Sequence, residues 1–376
     1  MKRFLKILKR MAIGLLLLIL LLSLVTFIYM QHPKFGKTPS GERLSLIEQS
    51  PNYKNGRFRN LVEKPTIAEG YSMWGQLYKM LFKRNKRTRP SGPVPAIKTD
   101  LKTLPADTNL AVWFGHSSLY LQVNGKKILI DPVFSGNASP IPGSIKAFEG
   151  TDLYTVEDLP QIDYLLISHD HYDHVDYTTI LALRTKVKHV ICGLGVGAHF
   201  EYWGYAPEQL IEKDWGGTVA LDSALTIYTE TAHHDSGRGF KRGQSLWLSF
   251  YIQSPGLNIF YSGDGGYDKH FAAIGQKFGP PDWAIIESGQ YNRAWHSVHL
   301  LPEETLQAAK DVGARRIIPV HNSKFALAMH DWDEPLIQLS AHKKDYNITL
   351  ATPRIGEVIY LNSQTQTFSE WWKDVK

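Results

Sequence analysis

The chain opens on an unbroken apolar run. Residues Met11 to Met30 carry no charge and are mostly Leu, Ile and Val. At about 1.5 Å rise per residue the run spans roughly 30 Å, the hydrocarbon thickness of a bilayer. A secretory signal has a shorter apolar core and small residues at its cleavage site, whereas here Phe27, Ile28, Tyr29 and Met30 follow the core. The run therefore reads as an uncleaved signal anchor, with a cleaved signal peptide as the alternative. Beyond it, the pattern to about residue 105 is broken by prolines, and this stretch reads as a connector. Within it Trp74, Leu77, Tyr78 and Leu81 recur at helical spacing in the segment Met73 to Phe82. That helix either packs on the main body or lies in lipid head groups.

From about residue 106 the pattern changes to short apolar runs bounded by turns. Strands are expected at Leu110–Phe114, Leu119–Val123 and Lys126–Ile130, the last two flanking an Asn124-Gly125 turn. Further strands are expected at Asp163–Ser168, His189–Cys192, Leu225–Glu230, Leu246–Gln253, Leu257–Tyr261, Trp283–Ile286 and Arg316–Val320. Helical spacing falls at Tyr177–Leu183, Asp268–Phe278, Pro302–Val312 and Pro335–His342. Hairpins followed by strands interleaved with helices imply an α/β fold of two face-to-face sheets with helices outside, an αββα sandwich. The expected organisation is a basic tail over 1–10, an anchor over 11–30, a connector over 31–105 and one catalytic domain over 106–376.

Charge adds topology. The formal net charge is +6. The excess sits in Lys2, Arg3, Lys6, Lys9 and Arg10, and again in Lys83, Arg84, Lys86, Arg87 and Arg89. Without these ten residues the chain is slightly acidic. Two local patches suit a membrane surface and offer no extended track for nucleic acid. The basic tail ahead of the run is expected to put the amino terminus in the cytoplasm and the body outside it, with a cytosolic body as the alternative. Cys192 is the one cysteine. An internal disulfide and a thiolate metal cluster are thereby excluded.

The chemistry begins at Ser168-His169-Asp170-His171-Tyr172-Asp173-His174, an H-x-H-x-D-H pattern at the end of a predicted strand. His169 and His171, at alternate positions, can share one metal. Asp173 and His174, past the turn, can face a second. Histidine and carboxylate donors suit zinc, manganese or iron. More donors stand at later strand ends: His233 and His234, Asp264 between glycines, and His321. Asp176 is placed to cap the next helix. Asp170 is a candidate for proton handling or for orienting a ligand histidine, or else a solvated acid. His116 reads as a neighbour of the ligands or as a buried histidine bonded to backbone.

This series resembles the metallo-β-lactamase superfamily. Within it the chain is similar to the branch of the N-acylphosphatidylethanolamine-hydrolysing phospholipase D. The likeness is carried by Trp113–Ser118, Asp131–Pro140, Leu159–Ser168, His174–Tyr177, Gly263–Tyr267, Phe278–Asp282, Val298–Glu304 and His321–Leu327, and covers roughly residues 100 to 345. It implies one metal on His169, His171 and a downstream histidine. The other metal takes Asp173, His174 and His321, with Asp264 bridging. Counting back from Arg238 selects His234, while His233 stays open as a neighbour or as the ligand itself. The resemblance also implies that His299, Tyr291 and Arg238 contact substrate, with a structural ion pair as the other reading of Arg238.

Two zinc ions would lower the pKa of a shared water, and the hydroxide would attack a phosphodiester. Asp264, Asp170 and His299 are the expected catalytic groups. The implied substrate is a phospholipid, the implied partner a membrane, and a homodimer is compatible. A lactonase or soluble phosphodiesterase of the same fold and a non-enzymatic metal-binding envelope protein are the alternatives.

Overall fold

In the computed structural model, all residues are described except Thr66, Arg84, Leu221 and Lys376. Arg84 of the second basic cluster therefore lies outside the described residues, as does the side chain of Leu81. Two seven-stranded sheets form the body. The first runs, edge to edge, Val358–Tyr360, Leu110–Trp113, Leu119–Val123, Lys126–Ile130, Ile162–Ile167, Val187–Gly193 and Leu210–Lys213. The second runs Gly217–Val219, Thr226–Glu230, Ser249–Ser254, Leu257–Tyr261, Trp283–Glu287, Arg316–Val320 and Thr349–Leu350. Each sheet begins antiparallel and turns parallel at its middle, after Lys126–Ile130 in one and after Leu257–Tyr261 in the other.

The period-2 alternation explains the layers. Ala111, Leu121, Ile128, Tyr164 and Leu166 face the second sheet, where Ile227, Phe250, Ile252, Ile259 and Ile285 meet them in one core. Their neighbours Val112, Tyr120, Leu129, Leu165 and Ile167 turn outward onto Ile180, Leu183 and Phe200 of the helices Tyr177–Leu183 and Gly197–Tyr202. On the far side Tyr251, Phe260, Ala284 and Ile286 pack on Phe271, Leu306 and Leu339 from helices His270–Phe278, Pro302–Val312 and Glu334–His342. Both faces of both sheets are covered, so the strands read as almost continuously apolar. The fold is the expected αββα sandwich.

Lys2–Tyr29 is one helix of 28 residues, holding an 18-residue stretch of mean hydropathy 2.9, with no residue buried. The stretch after it is more structured than a connector. It holds a helix at Gly41–Glu48 and a small hairpin of Tyr53–Lys54 and Arg57–Phe58. Ile47, Phe58, Val94 and Leu101 are buried in the cores of the body. Met73–Phe82 is helical as expected, with Ser72 accepting from the Gly75 N–H at its start.

Candidate metal centre

The parallel strands deliver their loops to one edge of the sandwich. Ile162–Ile167 leads to His169, Leu257–Tyr261 to Asp264, and Arg316–Val320 to His321. At that edge one nitrogen each from His169, His171 and His234 lies within 4.8 Å of the others. His171 Nδ1 stands 2.9 Å from His169 Nε2 and 3.3 Å from His234 Nε2. Beside this group stand Asp173, His174, Asp264 and His321. Asp264 Oδ2 is 3.0 Å from both His174 Nε2 and His321 Nε2. Asp173 Oδ2 is 3.6 Å from His174 Nε2 and 3.4 Å from His321 Nε2. His169, His174 and Asp264 form a further group, so the two clusters are contiguous through Asp264.

The other nitrogen of each imidazole is held from behind. His234 Nδ1 meets the Val298 carbonyl at 3.0 Å and His169 Nδ1 meets Ser168 Oγ at 3.0 Å. His174 Nδ1 meets Asp131 Oδ2 at 2.9 Å, and His321 Nδ1 lies 3.4 Å from Glu287 Oε2. Such partners fix the tautomer and raise donor strength in metal sites. His233 is turned the other way, its Nδ1 3.3 Å from Asp268 Oδ2. The structure thus brings His234, not His233, to the cluster.

The donor set fits a metal. Asp264 Oδ1 and His174 Nε2 are buried yet complete no hydrogen bond. Buried polar atoms seldom stay unpaired without an ion or water to answer them. Burial and the neighbouring His171 and His299 push His234 down to about 3, which leaves a neutral imidazole. Burial also works against a proton on His174, but Asp264, Asp173 and Asp131 overcome it and hold the group up at about 10. A site whose carboxylates recruit protons to buried histidines is one where a cation would displace those protons.

Backbone shape supports the cluster. Gly263 has φ of +60°, and a Cβ there would stand 2.4 Å from the Leu248 carbonyl oxygen. A Cβ on Gly266 would stand 2.1 Å from the Ser297 carbonyl oxygen. Glycines on either side of Asp264 are therefore required by close approach. His116, Asp131 and His321 also adopt positive φ, at 53°, 40° and 65°. Non-glycine residues are held in this region only where the surroundings over-determine them.

Three expected site residues stand outside the metal-capable groups. Asp170 is buried, and its carboxylate takes the Gly237 N–H at 2.6 Å, Ser245 Oγ at 2.7 Å and His199 Nε2 at 3.0 Å. Those partners hold it well below the usual carboxylate range, against the opposing push of burial. It ties the metal loop to neighbouring loops and is a member of none of the metal-capable groups. Arg238 is also buried, and its guanidinium is bonded to backbone carbonyls and to no carboxylate among the described residues. It donates to the carbonyls of Asp170 at 2.9 Å, Val175 at 2.8 Å and Lys34 at 2.8 and 3.1 Å. Tyr291 lies apart from the clusters, its hydroxyl donating to Glu334 Oε1 at 2.9 Å and its ring stacked on His330. His299 does stand at the centre, Nδ1 2.9 Å from Glu287 Oε2 and its ring 5.0 Å from that of His321. Asp176 occupies the N-cap position, but its carboxylate serves the Thr179 hydroxyl and the Ser135 N–H instead.

Asp131, Glu287 and Arg242 are additions from the structure. Asp131 gathers Ser168, His174 and the Tyr261 hydroxyl, the last at 2.6 Å. Arg242 is half-exposed at the rim, with Nη2 3.1 Å from His171 Nε2 and 2.8 Å from Asp235 Oδ2. The Asp131-Pro132 turn after a strand was a legible signal; nothing in the pattern marked Glu287 or Arg242. His116 is fully buried, its Nε2 2.9 Å from Asp173 Oδ2, so it neighbours the clusters. A cavity of about 910 Å³ is lined by Lys34, Tyr172, Asp176 and Arg238 and by no cluster residue.

Residues 126–322 match the family model of the β-lactamase superfamily domain. The chain belongs to the metallo-β-lactamase superfamily. It is a metal-dependent hydrolase of that superfamily, with His/Asp clusters able to bind metal. An uncharacterised protein of Mycobacterium tuberculosis is 34% identical over 335 residues, 88% of this chain and 89% of its own length. N-acyl-phosphatidylethanolamine-hydrolyzing phospholipase D 1 of Caenorhabditis elegans is 31% identical over 271 residues, covering 66% of this chain and 74% of that protein. Among solved structures, a metallo-hydrolase of Ignicoccus hospitalis matches with TM-score 0.52 at 22% identity over 67% of this chain and 98% of its own. At that identity the likeness speaks for the fold alone.

Proposed function

We propose that this superfamily member is a two-zinc phosphodiesterase of phospholipase D type. It would cleave N-acylphosphatidylethanolamine-like phospholipids to phosphatidic acid and an N-acylethanolamine. The observation that carries the reading is Asp264, which faces His169 and His174 on one hand and His321 on the other. One zinc would sit on His169, His171 and His234, and the other on Asp173, His174 and His321. Such a pair supplies Lewis-acid polarisation of the phosphoryl group and an activated water. The rest falls to the chain. Glu287 holds His299 by Nδ1, which leaves Nε2 to carry a proton to the departing ethanolamine oxygen as the phosphorus–oxygen bond breaks. Arg242, not the buried Arg238, is the cation placed to meet a phosphate at the rim. The phospholipid substrate is supported by the likeness to the nematode phospholipase and by the apolar helix Lys2–Tyr29. That helix would anchor the body at a membrane, outside the cytoplasm by the charge rule.

The test is the purified full chain incubated with total membrane lipid, wild type against Asp264→Asn, with metal content measured alongside. Two zinc ions per chain and release of N-acylethanolamine by wild type only are expected. Unchanged phospholipids in both samples would sink the phospholipase reading.

A further inference from the structure

Among the described residues, the helix Met73–Phe82 is tied to the body by its flanks, while its apolar side chains stand exposed. Ahead of it the Ala68 N–H donates to the Ala294 carbonyl. Behind it Arg87 pairs with Asp331 at 3.0 Å and Asp333 at 2.7 Å. Gln76 is its buried residue, whereas Trp74 is 80% exposed and Phe82 73%. Met73, Leu77 and Tyr78 are exposed as well. An apolar face of that size on a monomer marks an interaction site.

Position says what covers it. The helix shares a cavity with Leu301 and Pro302, the start of the helix that follows His299. The end of Lys2–Tyr29 lies against the helix layer of the other sheet. There His32 meets the Tyr177 ring at 6.0 Å, at the start of the helix that follows Asp173 and His174. His174 and His299, which precede these two helices in the chain, both belong to the metal-capable groups. Lys79, Lys83 and Lys86 are exposed on the same segment, Lys79 and Lys83 at the cavity that Gln76 also lines, and a basic segment carrying exposed aromatic side chains suits anionic head groups.

We propose that the metal-binding edge lies against the bilayer, with Met73–Phe82 as a second lipid contact in addition to the membrane-spanning helix. The occupant of the face is the head-group and upper acyl region of an anionic membrane. The clusters then open toward lipid and not toward bulk water. This placement rests on the anchoring and not on which ester the centre hydrolyses.

Trp74 gives a direct readout. The chain has ten tryptophans, and the apolar helix contains none. Trp74 alone among them is a strongly exposed residue. The full chain is reconstituted in vesicles of phosphatidylcholine and phosphatidylglycerol, with and without bromine on the acyl chains near the head groups. Wild-type tryptophan fluorescence is expected to be quenched, and Trp74→Phe to lose most of that quenching. Equal quenching in the two proteins overturns the proposal. An unquenched Trp74 in particles holding two chains also overturns it and assigns the face to a second copy. Either outcome leaves the hydrolase reading standing, because metal content and lipid turnover are measured separately.

Discussion

Replacing Arg238 separates a positioning role from a substrate role. Its guanidinium makes four hydrogen bonds to three backbone carbonyls and lies 4.1 Å over the Tyr172 ring and 5.3 Å from that of Trp203. In Arg238→Met the carbonyls of Lys34, Asp170 and Val175 lose these donors. Each buried acceptor left unpaired costs about 1–3 kcal/mol. Lost cation–π contact adds about 1 kcal/mol. Relief of the buried charge offsets several kcal/mol of that. The net loss is about 3–5 kcal/mol, a large share of a domain stability of roughly 5–15 kcal/mol. For a body of this size about 2–4 °C of Tm goes with each kcal/mol. Thermal unfolding followed by circular dichroism should therefore show Tm lower by about 6–20 °C. Arg238→Lys should recover only part of it, since an ammonium cannot reach three carbonyls at once. An unchanged Tm with a KM raised about tenfold, a loss of some 1.4 kcal/mol of substrate binding, would refute the reasoning and return Arg238 to the substrate.

Four further outcomes follow from the geometry. His234→Gln should lower metal content measured by plasma mass spectrometry, while His233→Gln should leave it unchanged. Asp131→Asn, which removes the carboxylate behind His174, should weaken metal binding about 10–100-fold in a chelator competition. Burial lowers Lys324 from 10.5 to about 8 in the folded chain. Between those values the unfolded state binds the extra proton, so stability should rise with pH across that window, and Lys324→Met should flatten the rise in pH-dependent unfolding. Arg242→Ala should raise KM for an anionic phospholipid without moving Tm, because half-exposed Arg242 has little packing to lose.

Strand periodicity alone placed most of the sandwich, because strands buried on both faces leave runs that nothing else in the chain imitates. Lys126–Ile130, Leu257–Tyr261 and Arg316–Val320 begin and end where their patterns do. Short edge strands such as Leu210–Lys213 and Gly217–Val219 were missed because their burial comes from neighbours and not from their own alternation. The metal cluster was legible because its seven donors all follow strand ends, where chain direction constrains them. Asp170 and Arg238 misled for a related reason. Asp170 stands between two donors and Arg238 shortly after His234, yet the turns point both into a loop network that only three-dimensional packing reveals. Glu287 had no signal at all, being the last residue of an otherwise apolar strand.

The contact between Arg238 and the Lys34 carbonyl has a consequence for shedding. The same short stretch also gives its Pro33 carbonyl to Trp203 Nε1 and its Lys37 N–H to His199 Nδ1, whose partner is Asp170. A protease that clips between Tyr29 and His32 would release a body with this strap in place. A cut after Lys37 would strip away acceptors that steady the loop bearing His169 and His171. The fragment set free by the second cut would be the less stable of the two and would hold metal more weakly.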